Sequence, residues 1–202
     1  PPTASSAGAP QTVCIPTPGN TALAANAPSI GTGVWSIVAG SPSTNLGQIS
    51  DVNDPAATFT PDGGAGIYTL RWTISNAPCT ASSSDVVITV ANNVTPSVSI
   101  VADPTGPICS NTSVTFTATP VNGGGSPAYV WTLNGNNIPF TNNPTYTSDT
   151  WANNDQIALV MTSGEACASP KTVTSNTITL SVTPAATANA GPDQTICSNT
   201  SA

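Results

Sequence analysis

The chain has 202 residues with nine acidic side chains, only two basic ones (Arg71 and Lys171), a net charge of −7 and no histidine. That inventory excludes a nucleic-acid surface, which needs clustered cations, and removes the usual general bases and soft metal ligands, so neither catalysis nor a cofactor is expected. The apolar 38% is broken every few residues by Thr, Ser, Asn and the 20 prolines, so the length allows one or two packed units and no membrane insertion is expected.

In chain order, Gln11–Cys14 reads as a first strand and Gly33–Ile37 as a second, with Trp35 in its middle. Asp51, Asn53 and Asp54 follow in a loop. They are weak calcium candidates, because two carboxylates fall short of the six to eight oxygens calcium takes, and turn capping is the expected role. Asp62 beside Gly63-Gly64 reads as a turn. Tyr68, Leu70, Trp72 and Ile74 then alternate with Thr69, Arg71 and Thr73, the period of a strand with one buried face. Residues 76–84, small and polar, read as a hairpin loop before Val86, Ile88 and Val90. Further along, Val114, Phe116 and Ala118 alternate with threonines, Trp131 sits mid-strand in Tyr129–Leu133, and Ile157, Leu159 and Met161 precede Ile178, Leu180 and Val182. No stretch keeps a helical apolar period, so the class is all-β.

Repetition gives the organisation. Val94-Thr95-Pro96 recurs as Val182-Thr183-Pro184, Cys109–Ser113 recurs letter for letter as Cys197–Ser201, and a cysteine lies 13 residues after each of Pro1, Pro96 and Pro184. The expected organisation is therefore repeat 1 over 1–95, repeat 2 over 96–183, and the first strand of a third repeat over 184–202, in a piece of a longer chain. Trp35 and Trp131 are 96 residues apart and take the core position of a tryptophan in an immunoglobulin-like sandwich, and Gly66-Ile67-Tyr68 is similar to the tyrosine corner of such folds. Trp35, Tyr68, Trp72 and Trp131 are the expected core.

Each complete repeat has one early and one late cysteine, which predicts one disulfide per domain, Cys14–Cys79 and Cys109–Cys167, with Cys197 pairing beyond the fragment. Such bonds belong outside the cytoplasm. No carboxylate pair or Ser with a base is placed by a recognisable motif, so the chain is not expected to be an enzyme. The sequons at Asn93, Asn111 and Asn199 read as plain loops, and Ser and Thr, about a quarter of the chain, suit exposed strand faces and equally offer O-glycan acceptors.

Four stretches together, Gly33–Ser36, Asn53–Pro61, Gly66–Ile74 and Ala190–Cys197, resemble the PKD-like, immunoglobulin-type repeats of very large secreted surface proteins of the Bacteroidota. The resemblance covers nearly the whole chain and is looser in repeat 2, where Asp155-Gln156-Ile157 replaces the Gly-x-Tyr turn. It implies export by the type IX system and a place in surface adhesins, gliding-associated filaments or accessory arrays. The expected function is a structural and adhesive module of an extracellular fibre or bacterial surface adhesin. A spacer or carbohydrate-binding accessory domain of a secreted enzyme is the second reading, and a self-assembling filament subunit the third. Partners would be neighbouring repeats, other copies, or surface glycans.

Overall fold

The computed structural model describes residues 1–16, 19–186 and 191. The expected first strand of a third repeat, 194–197, lies outside the described residues. The chain divides into two compact units, one of residues 1–98 with 120–128 and 161–174, the other of residues 99–119 with 129–160 and 175–202.

In the first unit, β1 (Gln11–Ile15), β3 (Thr32–Ile37), β5 (Gly66–Asn76) and β6 (Cys79–Asn92) form one sheet in the order β1-β6-β5-β3. A second layer is built on β2 (Thr21–Ala22) and β4 (Thr58–Phe59), which pair antiparallel. The alternation along β5 does what its period predicts: Tyr68, Leu70, Trp72 and Ile74 are fully buried, each removing a large apolar surface from water at about 1.5–3 kcal/mol per side chain. Trp35 pairs with Trp72 across the ladder, with ring centroids 5.1 Å apart, and Phe59 meets Tyr68 edge-on at 5.3 Å. Each indole N–H finds a backbone carbonyl, Trp35 that of Asp54 at 3.0 Å and Trp72 that of Asn26 at 3.2 Å.

Residues 76–84, expected as a loop, are mostly ladder. The turn is only Ala77-Pro78, and β6 starts at Cys79 and pairs with β5 through Ser82, Ser83 and Ser84. Small polar residues read as loop because they bury nothing here, but their hydroxyls have another task. Ser82 Oγ accepts from Ser5 N at 2.9 Å and Ser84 Oγ from Ala7 N at 3.2 Å, so the serines hold the N-terminal segment against the sheet edge.

The second unit contains β8 (Ile108–Cys109), β11 (Asn136–Asn137), β12 (Thr145–Ser148), β15 (Ile178–Thr179) and β16 (Val182–Thr183), together with most of β7 (Ser97–Asp103), β9 (Val114–Val121), β10 (Ala128–Leu133) and β13 (Gln156–Thr162). The short strand β14 (Thr172–Thr174) falls in the first unit. Val114, Phe116, Trp131, Ile157 and Leu159 are fully buried. Phe116, Trp131, Tyr146 and Trp151 form a circuit of ring contacts with centroids 5.5–6.1 Å apart, and Trp151, not expected in the core, is a full member of it. The expected single strand over Ile178–Val182 is instead two short ones, because Ile178 pairs with Ile157 of β13 whereas Val182 leaves to pair with Ile108 of β8. Asn176 finishes the exposed edge of β7: its side-chain amide accepts from Ile100 N at 2.8 Å and donates to Ile100 O at 3.1 Å, in place of a strand.

The first strands obey one rule in both units. β1 runs parallel to β6 with Val13↔Val90 and Cys14↔Ala91, and β8 runs parallel to β16 with Ile108↔Val182 and Cys109↔Thr183. Structurally, Val90 is therefore the counterpart of Val182. The repeated Val-Thr-Pro letters align Val94 with Val182 instead, four residues out of register.

Candidate functional site

The disulfide is where the structure departs most from expectation. Cys14 is bonded to Cys167, 153 residues away in sequence with Cα atoms 5.4 Å apart, while Cys79 and Cys109 are free and exposed among the described residues. The expected pairs Cys14–Cys79 and Cys109–Cys167 are not formed; among the described residues the one disulfide joins Cys14 to Cys167 instead. Cys197 lies outside the described residues.

Backbone chemistry explains the exchange. After β6 ends, Asn93 N donates to Ile15 O, next to Cys14, and the adjacent Val94 N donates to Cys167 O, both at 2.9 Å. Ser169 N returns a bond to Val94 O, which makes Val94 and Ala168 a parallel bridge. Two consecutive residues thus hold the end of β1 and the 167–169 segment side by side. Asn122 and Ser163 secure the far side: Asn122 Nδ2 donates to Thr95 O at 2.9 Å, Ser163 Oγ to Asn122 O at 2.7 Å, and Gly164 N to Gly123 O at 2.8 Å. The residues that build this clamp are short polar side chains and main chain, which is why counting cysteines one repeat at a time missed it.

The tyrosine corner is formed. Tyr68 Oη donates to Gly64 O at 3.2 Å and accepts from Gly63 N at 3.0 Å, and burial raises the phenol above its ordinary range. Repeat 2 solves the same problem differently. Its Ile157 occupies the apolar position, and the buried Asp155 makes the tie, one carboxylate oxygen accepting from Ala152 N and the other from the Asn134 amide, each at 2.8 Å.

Asp51 and Asp54 serve as turn acceptors. Asp51 Oδ1 takes Asn53 N and Asp54 Oδ1 takes Ala56 N, both at 2.9 Å, and Asp54 also lends its carbonyl to Trp35. No group of three or more acidic, His or Cys side chains that would hold a metal occurs among the described residues. Elsewhere, two carboxylates sit below their ordinary range: Asp62 through the Ser43 hydroxyl and Asn45 amide, and Asp85 through the fork of Arg71, whose Nε and Nη2 reach its two oxygens at 2.6 and 2.8 Å. Asn93 and Asn111, heads of two sequons, are both exposed.

The second unit carries an apolar groove of about 370 Å³, lined chiefly by Ile100, Val101, Pro104, Pro107, Ile178 and Leu180, with no titratable side chain in its wall.

No family model and no curated protein matches the chain. Among solved structures it is similar to murine CEACAM1b, at 15% identity and a TM-score of 0.51, over 85% of this chain and 96% of that one. It is also similar to Sidekick-1 immunoglobulin domains 1–4, at 14% identity and a TM-score of 0.50, over 90% of this chain and 48% of that one. A PKD domain from the KIAA 1837 protein is a shorter match, at 21% identity and a TM-score of 0.35, over 44% of this chain and 85% of that one. The likenesses to CEACAM1b and Sidekick-1, with the buried tryptophans, the tyrosine corner and the parallel first strand, define the class: an all-β chain of tandem immunoglobulin-like sandwiches. No helix among the described residues is long and apolar enough to cross a membrane.

Proposed function

We propose that the chain is a non-enzymatic structural and adhesive module of a long extracellular fibre or bacterial cell-surface adhesin, built from repeats over 1–95 and 96–183 with a third starting at 184. The carrying observation is the Cys14–Cys167 bond, which closes a covalent loop across the repeat boundary. A bond of this kind persists in oxidising surroundings, and it prevents a pulling force from extending the segment it encloses. The resemblance to PKD-like repeats of Bacteroidota surface proteins supports the same reading, with type IX export and with neighbouring repeats, other copies or surface glycans as partners.

Two measurements test the reading together. Stretched between its ends, the oxidised chain should release far less contour length than the reduced chain, because residues 14–167 stay closed. Beads coated with the chain should be retained under flow on surfaces carrying glycans or matrix proteins. Retention on glycans alone would favour the carbohydrate-binding accessory reading. Retention nowhere would remove the adhesive role and leave a spacer.

A further inference from the structure

We propose that the second unit binds a second copy of this chain edge to edge, the ring of Phe140 on one copy entering the apolar groove around Val101 and Leu180 on the next. The proposal rests on the reading above, in which other copies are among the partners, and gives that partner a contact.

Phe140 stands where the fold gains nothing from it. Its side chain is fully exposed and its φ is +60°, a left-handed backbone that strains an aromatic residue. The other non-glycine residues at positive φ among those described are Asn111, Asn122, Asn134 and Asn154, and asparagine adopts that backbone readily. The loop is nevertheless fixed. Thr141 Oγ1 accepts from Trp131 N at 3.1 Å, Asn142 Oδ1 accepts from Tyr129 N at 2.8 Å, and Ile138 N donates to Trp131 O at 2.8 Å. Both flanks of Phe140 are thus fastened to β10, so presenting its ring costs little further ordering on binding.

The groove suits that ring and lies on the other side of the unit. Its volume of about 370 Å³ exceeds the roughly 150 Å³ in which an apolar cavity holds benzene. Residues 138–144 join β11 to β12, each at one end of its sheet, whereas the groove wall comes from β7 and β15 at the opposite ends. A ring at one edge and its pocket at the other give a head-to-tail contact, which repeats from copy to copy instead of closing a pair.

Two further facts select a second copy's ring as the occupant. Asn176 takes both the N–H and the C=O of Ile100, so the edge of β7 is closed there to an added strand and the groove is left for a side chain. No charged side chain lies between Asn134 and Ser148 or lines the groove, so copies that each carry −7 meet here without local repulsion. One ring is small against the about 1,000 Å² of a stable interface, so each contact is weak and gains strength from repetition along a fibre.

Sedimentation equilibrium of the full chain, with its Cys14–Cys167 bond intact and its free thiols alkylated, tests the contact. The mean mass should rise with protein concentration. Phe140→Ala and Val101→Lys change exposed side chains, and each alone should weaken association at least about tenfold. Mixed in equal amounts, the two variants should form dimers and nothing longer, because one groove and one ring remain usable. Monomers at every concentration would overturn the proposal, as would loss of association in Phe140→Ala alone, which would mark a ring-to-ring contact. Phe140 ring resonances that respond to added cellohexaose and not to protein concentration would overturn it in favour of a glycan contact. Every outcome is read in solution, so failure here leaves the retention test of the adhesive reading standing.

Discussion

Gly33 lies directly beneath the indole of Trp72: a Cβ at residue 33 would stand 2.0 Å from Cζ2 and 2.4 Å from Cη2 of that ring. Both residues are buried, and the ring is held by its own hydrogen bond to Asn26, so it has no room to retreat. In a strand, Gly→Ala ordinarily gains about 0.5–1 kcal/mol, but overpacking a core typically costs about 1–3 kcal/mol. Overpacking should win. Gly33→Ala should lower the denaturant midpoint, and adding Trp72→Phe, which removes the two clashing atoms, should make the double variant less unstable than the sum of the single ones. Simple additivity would show that the contact is not the cause.

The two corners should fail independently. Tyr68→Phe keeps the ring and deletes the hydroxyl, leaving Gly63 N without its acceptor, a loss of about 1–2 kcal/mol in the first unit. Asp155→Ala removes two hydrogen bonds to a carboxylate and should cost the second unit about 3 kcal/mol or more. Hydrogen exchange resolves the units: each substitution should accelerate exchange in its own core strand, β5 or β13. Uniform acceleration in both would refute separate corners.

Much of this was legible in the sequence, for a physical reason. Period-2 alternation reports burial, and burial formed β5, β9 and β13 where Tyr68, Phe116 and Leu159 put them. What burial does not report was missed. Residues 82–84 pair in a ladder while staying largely outside the core, so their serines looked like loop. Trp151 lies outside any strand and shows no period, although its ring closes the aromatic circuit. The cysteine exchange was hidden because main-chain bonds from residues 93 and 94 carry it, and main chain has no letter in the sequence.

The Arg71–Asp85 pair should appear as an acid-side effect only. Hydrogen bonding from Arg71 holds the Asp85 carboxyl below 3.8, its ordinary value. A carboxyl lowered in the folded state adds stability that is present above the unfolded value and is lost as pH falls through the folded one. Arg71→Gln should therefore be slightly less stable than wild type at neutral pH, and the two should converge at the lowest pH the fold tolerates. The pair is exposed, so the gap should shrink with added salt. A gap that stays constant across the acid range would mean that Arg71 acts through packing alone.

Reduction should cost the first unit more than any single core substitution. The Cys14–Cys167 bond closes a loop 153 residues long, and the chain-entropy relation assigns about 5 kcal/mol to closing a loop of that length. The loss belongs to the unfolded chain, so the native hydrogen bonds of the clamp, Val94 N to Cys167 O among them, should survive gentle reduction in the folded state. Unfolding in denaturant, with and without reductant, separates the two contributions. Wild type should show a large fall in midpoint on reduction, whereas a Cys14→Ser/Cys167→Ser variant should start at the lower midpoint and ignore the reductant. A further variant, Asn122→Ala in the oxidised chain, removes the clamp bond to Thr95 and leaves the disulfide, and should cost only about 1 kcal/mol. If reductant moves the double serine variant as far as it moves wild type, the stabilising bond is not the one between Cys14 and Cys167.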